Sequence, residues 1–267
     1  MIRQLECIGL LAAIASTCYA AFEEVPVGAR ALALCNATSA LSDVFGLCAN
    51  PAALSLNSGT SVATFATRLF NEPDLTFVCG ELNVGHFGLY ASSLGSDMYR
   101  ETVLSAGCGF STHGMSFGVS AKQMALSIRG YGSDATFGLD AGVLGMVSSK
   151  FAISAAGKNV NLPHIGSSGD GLPLAVKVGS ALCLADDLLL CFDFSKEGEK
   201  GLNISFGQEF TLCPTLVARA GLSTEPSTFA AGFSLALRTL SIDYSVGMHH
   251  ALGLTHGLSL CYTLTRG

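Results

Sequence analysis

The chain contains 267 residues, of which only 13% are charged, and it carries a formal net charge of -6. Soluble domains usually have about a quarter charged residues, so much of this surface is predicted to face something other than water. The acidity argues against nucleic acid or anionic lipid as a partner, because phosphate groups repel a negatively charged protein.

Residues 1–20 have the features of a secretory signal peptide. Arg3 supplies a positive start, residues 7–15 are apolar, and Ala20 is a small residue at a suitable cleavage position. A lipoprotein with an acylated Cys18 is the alternative interpretation. The sequence therefore predicts an exported protein.

Eight cysteines follow the predicted signal, and export would place them where disulfides form. Cys183 and Cys191 flank a predicted tight turn, so a bridge across that hairpin is conceivable. We favour the alternative that most of the cysteines are small, half-buried fillers. Because there is no CxxC pair and no Cys/His zinc spacing, the sequence predicts neither a metal site nor a cofactor.

Residues 21–56 do not alternate between apolar and polar side chains. The stretches 29–34 and 38–45 are rich in alanine and leucine, and they predict two short helices before Asn50 and Pro51. Proline removes a backbone donor and fixes a turn, and asparagine can cap nearby backbone groups. This segment is therefore predicted to be a separate, partly helical unit.

From residue 57 onward, large apolar residues alternate with small or polar ones, which is the period of a β-strand with two unlike faces. About fourteen such segments are separated by turn signals. Their approximate centres are Ala63, Phe77, Gly88, Gly107, Val119, Leu139, Ser154, Val178, Leu190, Ser205, Val217, Gly232, Asp243 and Leu260. The sequence therefore predicts an all-β fold, an antiparallel transmembrane β-barrel of about fourteen strands over residues 57–267.

The connections between these segments favour a membrane barrel over a soluble sandwich. Every second connection is predicted to be very short, beginning with one at Leu82-Asn83, and the intervening ones are mostly longer, up to residues 159–171. Short turns at one end and longer loops at the other are typical of outer-membrane barrels, with the apolar face against lipid. We therefore predict a location in the cell outer membrane.

Charged residues on the polar face are predicted to point into the barrel lumen. They are Lys122, Asp140, Lys158, Lys177, Asp193, Glu209, Arg219, Arg238 and Asp243. The cations could meet a carboxylate head group of a ligand. We favour the alternative that cations and carboxylates pair with each other and brace the wall, because buried charges require partners.

The segment Gly28-Ala29-Arg30-Ala31, followed by Asn50-Pro51-Ala52, resembles the N-terminal hatch of FadL-type outer-membrane transporters and of their PorV/PorQ-like relatives. The resemblance implies that residues 21–56 form a short helical plug inside a fourteen-stranded barrel. It also marks Gly28, Arg30, Asn50, Pro51 and Ala52 as the hatch motif. Asn50-Pro51-Ala52 is either an ordinary helix-stop turn or has a gating role.

Two functions remain open at this point. The resemblance to FadL implies uptake of small hydrophobic molecules, such as long-chain fatty acids, across the outer membrane. The alternative is a structural barrel that binds a protein partner in a secretion or surface-assembly system, like PorV. Short outer loops suit the second function, because they cannot build a capture pocket alone.

An enzyme is not predicted. The sequence has no H-E-x-x-H, P-loop or G-x-S-x-G motif, and the glycines at Gly107 and Gly109 belong to a strand. His249, His250 and His256 could bind a metal, but three histidines in an exposed loop are more often solvated. No catalytic residue is therefore assigned.

Overall fold

A computed structural model describes residues 21–166 and 169–264, so the predicted signal peptide at residues 1–20 lies outside the described residues. Fourteen antiparallel strands form a closed barrel, which confirms the predicted fold. The barrel strands are β1 (Thr60–Arg68), β2 (Thr76–Val84), β3 (Phe87–Gly95), β4 (Tyr99–Thr112), β5 (Met115–Ile128), β6 (Gly132–Ser148), β7 (Phe151–Lys158), β10 (Ala175–Ala185), β11 (Leu188–Glu197), β12 (Asn203–Cys213), β13 (Leu216–Thr224), β14 (Ser227–Leu237), β15 (Leu240–His249) and β16 (Gly253–Leu264). A two-stranded ribbon, β8 (His164–Ile165) with β9 (Asp170–Gly171), lies in the loop between β7 and β10.

Each barrel strand pairs with the strand before and after it, and β1 closes the ring by pairing with β16. The wall is hydrogen-bonded without a lateral gap among the described residues. Strand β3, for example, pairs with β2 over residues 87–94 and with β4 over residues 87–95.

The alternation of the sequence places large apolar side chains on the outside. Phe87 is 68% exposed and Phe137 is 67% exposed. Exposed leucines, valines or phenylalanines occur on every barrel strand except β7, where the exposed large apolar residue is Ile153. A soluble protein rarely shows a continuous apolar patch larger than a few hundred Å². This outer surface is therefore suited to hydrocarbon rather than water.

Loop length is sorted between the two ends of the barrel, as predicted. The six turns at the end where β1 begins contain two residues each, at 85–86, 113–114, 149–150, 186–187, 214–215 and 238–239. Connections at the other end are mostly longer, up to residues 159–174, although the one at 225–226 has only two residues. The first short turn was predicted at Leu82-Asn83 and instead lies at residues 85–86, where Gly85 adopts a positive φ of 58°.

The N-terminal unit contains helix α1 (Ala29–Ala33), helix α2 (Gly46–Ala49) and a 3-10 helix (Pro51–Leu56). Two further 3-10 turns, Leu69–Asn71 and Pro73–Leu75, lie between β1 and β2. The helix predicted at residues 38–45 is wrong: these residues form turns and irregular backbone that bond to the barrel wall, where Thr38 and Ser39 donate their N–H groups to Asp193 and the Val44 carbonyl accepts from Asn83. Among the described residues, none of the helices has the length and apolar composition to cross a membrane.

Candidate functional site

Residues 29–56 fill the short-turn half of the barrel, and the wall is shaped to receive them. Inward-facing glycines lie directly against this unit, which we call the plug: Gly118 against Pro51, Gly142 against Asn50, and Gly221 against Leu34. A Cβ atom at any of these glycines would overlap the plug. These small residues therefore make space for the plug and not for a ligand.

Asn50 uses both polar atoms of its side chain, and one of its hydrogen bonds reaches the barrel wall. It is fully buried, and its Nδ2 donates to the carbonyl of Ser39 at 3.0 Å and to the carbonyl of Val143 in β6 at 3.2 Å. Its Oδ1 accepts the N–H of Ala52 at 3.0 Å and so caps the 3-10 helix that begins at Pro51. Asn50 thus combines a helix cap with a bond to the barrel.

Gly28 and Arg30 determine how the plug begins. Gly28 has a φ of 100° and lies against the ring of Phe45, so a side chain there would be both strained and blocked. Arg30 reaches out of α1, pairs with Glu209 of β12, and lies 3.4 Å from the carboxylate of Asp43. Burial would lower the pKa of Arg30, but Glu209 and Asp43 together hold it above its usual value.

The Arg30–Glu209 pair extends into a buried ionic chain along the wall. Glu209 Oε2 accepts from Arg219 Nε at 2.6 Å, and Arg219 Nη1 contacts Asp243 at 3.0 Å. Three strands, β12, β13 and β15, therefore contribute one charge each. The chain alternates in sign, which offsets the desolvation of every member.

Asp193 of β11 forms a second anchor. Its side chain is nearly inaccessible to solvent, and it accepts the N–H groups of Thr38 and Ser39 at 3.0 Å each and the Ser39 hydroxyl at 2.8 Å. A single wall carboxylate thus satisfies three donors of the plug. Such charge-assisted bonds are shorter and stronger than neutral ones.

A third ionic group lies on the long-loop side of the plug. Glu24 Oε1 accepts from Lys158 of β7 at 2.8 Å and from Lys177 of β10 at 3.3 Å. Burial alone would raise the pKa of Glu24, but the two lysines hold it well below the usual range of a glutamate. Lys122 of β5 and Asp140 of β6 form a separate pair at 2.8 Å.

Eight of the nine charges predicted in the lumen line the interior, and one does not. Arg238 is exposed in the turn between β14 and β15 with a φ of 53°. The alternation would turn residue 238 inward if β14 continued, but the strand ends at Leu237. The prediction of Arg238 as a lumen charge is therefore wrong.

Four carboxylates of the interior were missed from the sequence: Glu24, Asp43, Glu81 and Glu101. Glu81 in β2 is almost fully buried and accepts the N–H of Leu47, and Glu101 in β4 accepts the N–H of Phe22. The alternation of the sequence places Glu81 and Glu101 on the inward face of their strands, so both could have been predicted from it. Glu24 and Asp43 belong to an irregular segment, where alternation gives no such signal.

A cavity of about 620 Å³ opens between the plug and the long loops. Its wall includes the apolar side chains of Val25, Leu32, Leu69, Phe70 and Leu94. Its charged lining includes the group formed by Glu24, Lys158 and Lys177 and further charged residues, among them Glu101, Glu197, Lys200 and Glu225. A smaller pocket of about 130 Å³ lies beside it against Tyr90, Val103 and Met124. The pair of pockets is open to the long-loop side and is bounded by the plug below.

The cysteines and histidines do not converge. All eight described cysteines are free thiols, including Cys183 and Cys191. Burial raises the pKa of the Cys35 thiol in the plug to about 12, so this thiol is protonated at neutral pH. His249 faces inward against Phe70, whereas His256 faces outward beside Tyr244, so the three histidines do not share a site.

The structure is similar to several solved channel structures. CymD, described as a monoaromatic hydrocarbon channel, has a TM-score of 0.67 and 13% identity, covering 92% of this chain and 99% of that chain. A FadL homologue of Pseudomonas aeruginosa has a TM-score of 0.64 and 11% identity over 90% and 99% of the two chains. The toluene transporter TbuX of Ralstonia pickettii has a TM-score of 0.61 and 12% identity over 88% and 97%.

Neither a protein-family model nor a curated protein sequence matches this sequence. The likeness is therefore one of fold, and it agrees with the resemblance noted for the hatch segment. A closed barrel of fourteen strands with an N-terminal plug is common to the sequence prediction and the structure. The chain accordingly has the fold of the FadL-type channels.

Proposed function

We propose that this chain is an outer-membrane channel for the passive uptake of small hydrophobic molecules. The observation that carries the proposal is the largely apolar cavity of about 620 Å³ on the long-loop side of a plugged barrel. Ligand sites are usually concave and mostly apolar, with a few polar groups that orient the ligand. The apolar exterior supports the membrane location, and the solved channels of similar fold support the transport role.

The charges at the cavity bear on the chemical class of the ligand. The resemblance to FadL implies small hydrophobic molecules such as long-chain fatty acids, and the carboxylate of a fatty acid could bind a lysine of the lumen. Lys158 and Lys177 already share one oxygen of Glu24, so a ligand carboxylate has to compete with Glu24 for them. An uncharged hydrophobic molecule meets no such competition, and we therefore place it ahead of the fatty acid.

The proposal includes the division of the chain. Residues 1–20 are the signal peptide, residues 21–56 are the plug segment, and residues 57–267 are the barrel. N-terminal sequencing of the exported protein tests the first boundary, with a new terminus expected near residue 21. A mature protein that retains residues 1–20 would contradict it.

Uptake into liposomes tests transport directly. Purified barrel is reconstituted, and entry of toluene and of a long-chain fatty acid is compared with entry into empty vesicles. Thr228→Phe narrows the cavity from β14 and is expected to reduce uptake, whereas Thr64→Phe on the outer face of β1 is the matched control. Uptake no faster than in empty vesicles would refute the proposal.

A second candidate is a structural barrel that binds a protein partner. The observation in its favour is that the strands form a closed ring and the plug interlocks with inward glycines, so the plug is held firmly inside the barrel. Purification in mild detergent separates the two functions. A stoichiometric partner that recurs in independent preparations supports the structural role, and an isolated monomer argues against it.

A further inference from the structure

Three cationic side chains lie on the outer face of the barrel strands, and all three are at the long-loop end. They are Arg68, Arg100 and Lys196. Arg100 contacts Asp97 at 3.1 Å, and Lys196 donates to the carbonyl of Lys200. Arg68, the last residue of β1, makes no side-chain hydrogen bond or ion pair with any residue in the described part of the chain.

His256 lies directly beside Arg68. The two residues are opposite each other in the β1–β16 ladder, and both are exposed on the outer face. Side chains in directly opposite positions have Cβ atoms about 4.5–5.5 Å apart. A guanidinium and an imidazole therefore project side by side away from the barrel.

Tyr244 sets the direction in which His256 donates. The Tyr244 hydroxyl is 2.7 Å from Nδ1 of His256. If the imidazole is neutral and accepts from Tyr244 at Nδ1, its proton is on Nε2; if it is protonated, both nitrogens carry protons. In both of these states Nε2 is a hydrogen-bond donor that Tyr244 does not use, whereas a neutral ring with its proton on Nδ1 donates to Tyr244 and leaves Nε2 an acceptor.

The position of this cluster along the barrel matches the boundary of a membrane. From His256 to Leu264 the outward residues of β16 are apolar or aromatic: Leu258, Leu260, Tyr262 and Leu264. Eight steps of about 3.3 Å in a strand tilted by about 40° span roughly 20 Å, close to the apolar band of about 25 Å in outer-membrane barrels. Arginine at such a boundary keeps its stem in the apolar layer and its charge among the head groups.

We propose that Arg68, His256 and Tyr244 form a binding site for the phosphate group of a membrane lipid in the leaflet on the long-loop side. The site rests on the proposed membrane location and is independent of transport. Guanidinium groups bind phosphate through two parallel hydrogen bonds, and the imidazole N–H adds a third donor. Part of the net charge of -6 comes from acidic groups that face the lumen, such as Asp193 and Glu209, whereas Glu72 and Asp74 are exposed in the loop that follows Arg68.

The test uses the full barrel purified in mild detergent and lipid A with both phosphates as the probe. Binding is measured by native mass spectrometry, with the dephosphorylated glycolipid as a second ligand. Arg68→Gln is expected to weaken affinity for the phosphorylated lipid about five- to tenfold. The double variant Arg68→Gln/His256→Gln is expected to bind both lipids equally, and Arg238→Gln, at the opposite end of the barrel, is expected to bind as the parent does.

Two results would overturn the site: equal affinity of the parent protein for both lipids, or unchanged affinity in Arg68→Gln. Displacement of the lipid by millimolar inorganic phosphate would also overturn it, because the lipid would then not be the preferred source of phosphate. These outcomes leave liposome uptake untouched. Conversely, a barrel that binds lipid A through Arg68 but transports nothing would refute the transport proposal alone.

Discussion

The two sides of the plug are attached to the barrel by different interactions. Residues 29–43 face β10–β15 and are anchored by buried charges, above all Asp193 and the Arg30–Glu209 pair. Residues 44–56 face β1–β6 and combine buried apolar side chains, Leu47 and Leu54, with polar bonds to the wall at Glu81, Asn83 and Val143. Ionic hydrogen bonds require one geometry, whereas apolar contact is non-directional. The comparison indicates that ion pairs hold the first side, whereas the second side adds extensive apolar packing to a few polar bonds.

The largest expected effect comes from the ionic side. Asp193→Ala leaves the N–H groups of Thr38 and Ser39 and one hydroxyl without their acceptor. Each such buried group costs about 1–3 kcal/mol, so we expect a loss of about 3–5 kcal/mol in the free energy of unfolding. Urea titration of the barrel in lipid vesicles measures it.

Asp193→Asn is the control for this prediction. Asparagine keeps one carbonyl acceptor of nearly the same shape, so the loss is expected to be smaller than for alanine. An alanine variant as stable as the parent protein would show that Asp193 is not an anchor and would remove the basis of the comparison.

The apolar side is expected to contribute a somewhat smaller effect per residue. Leu54 is fully buried against Gly88 and Gly109, and Leu54→Ala should lower the free energy of unfolding by about 2–4 kcal/mol through a cavity. The loss should not change with salt, because no charge is involved.

Leu56 provides the matched control for Leu54. It belongs to the same 3-10 helix but is 40% exposed. Leu56→Ala should therefore change the free energy of unfolding by about 1 kcal/mol or less. Equal losses at the two positions would contradict the packing described for this side.

The difference between the two sides also explains what the sequence could reveal. Alternation specifies which residues of a strand face inward, and it placed charges such as Lys122, Asp140 and Asp243 correctly in relation to the wall. It also predicted every barrel strand, since all fourteen expected centres lie inside observed strands. The face on which a strand residue lies depends only on local backbone geometry, so one sequence is sufficient to determine it.

The plug could not be derived in the same way. Residues 38–45 have a helical composition, but wall residues far away in the sequence, Asp193 and Asn83, bond to their backbone and hold it in turns. The inward glycines show only that space exists, and the sequence does not say that Pro51 and Asn50 occupy it. Long-range contacts decide both features, and no local pattern records them.

Acid should lower the free energy of unfolding, because protonation of Glu24 removes its ion pairs with Lys158 and Lys177. The pKa of Glu24 is depressed in the folded protein, so its contribution is present above the unfolded value of about 4.3 and is lost as pH falls below that value. Glu24→Gln should be less stable than the parent protein by about 1–3 kcal/mol at neutral pH. The difference in the free energy of unfolding between the two proteins should begin to narrow near pH 5. It should continue to narrow as the pH falls below the unfolded pKa of about 4.3.

Glu23→Gln serves as the control for the acid effect. The side chain of Glu23 is 56% exposed and contacts Lys200 at 3.4 Å, and exposed pairs contribute about 0–1 kcal/mol. The free energy of unfolding of Glu23→Gln should therefore follow that of the parent protein at every pH. A constant gap between Glu24→Gln and the parent protein would mean that Glu24 is not ionised in the folded state.

The smallest expected effect is that of substituting Arg238. It tests whether the stabilisation by an arginine depends on its enclosure inside the barrel. If Arg238 lay in the lumen, its removal would leave a buried carboxylate unpaired and would cost several kcal/mol. Because it lies exposed in a two-residue turn, Arg238→Gln should change the free energy of unfolding by no more than about 0.5 kcal/mol. The same substitution at Arg219, which contacts Glu209 and Asp243, should cost about 3–5 kcal/mol in the same titration. Similar losses for the two variants would mean that charge alone, and not enclosure between wall and plug, determines how much an arginine stabilises this barrel.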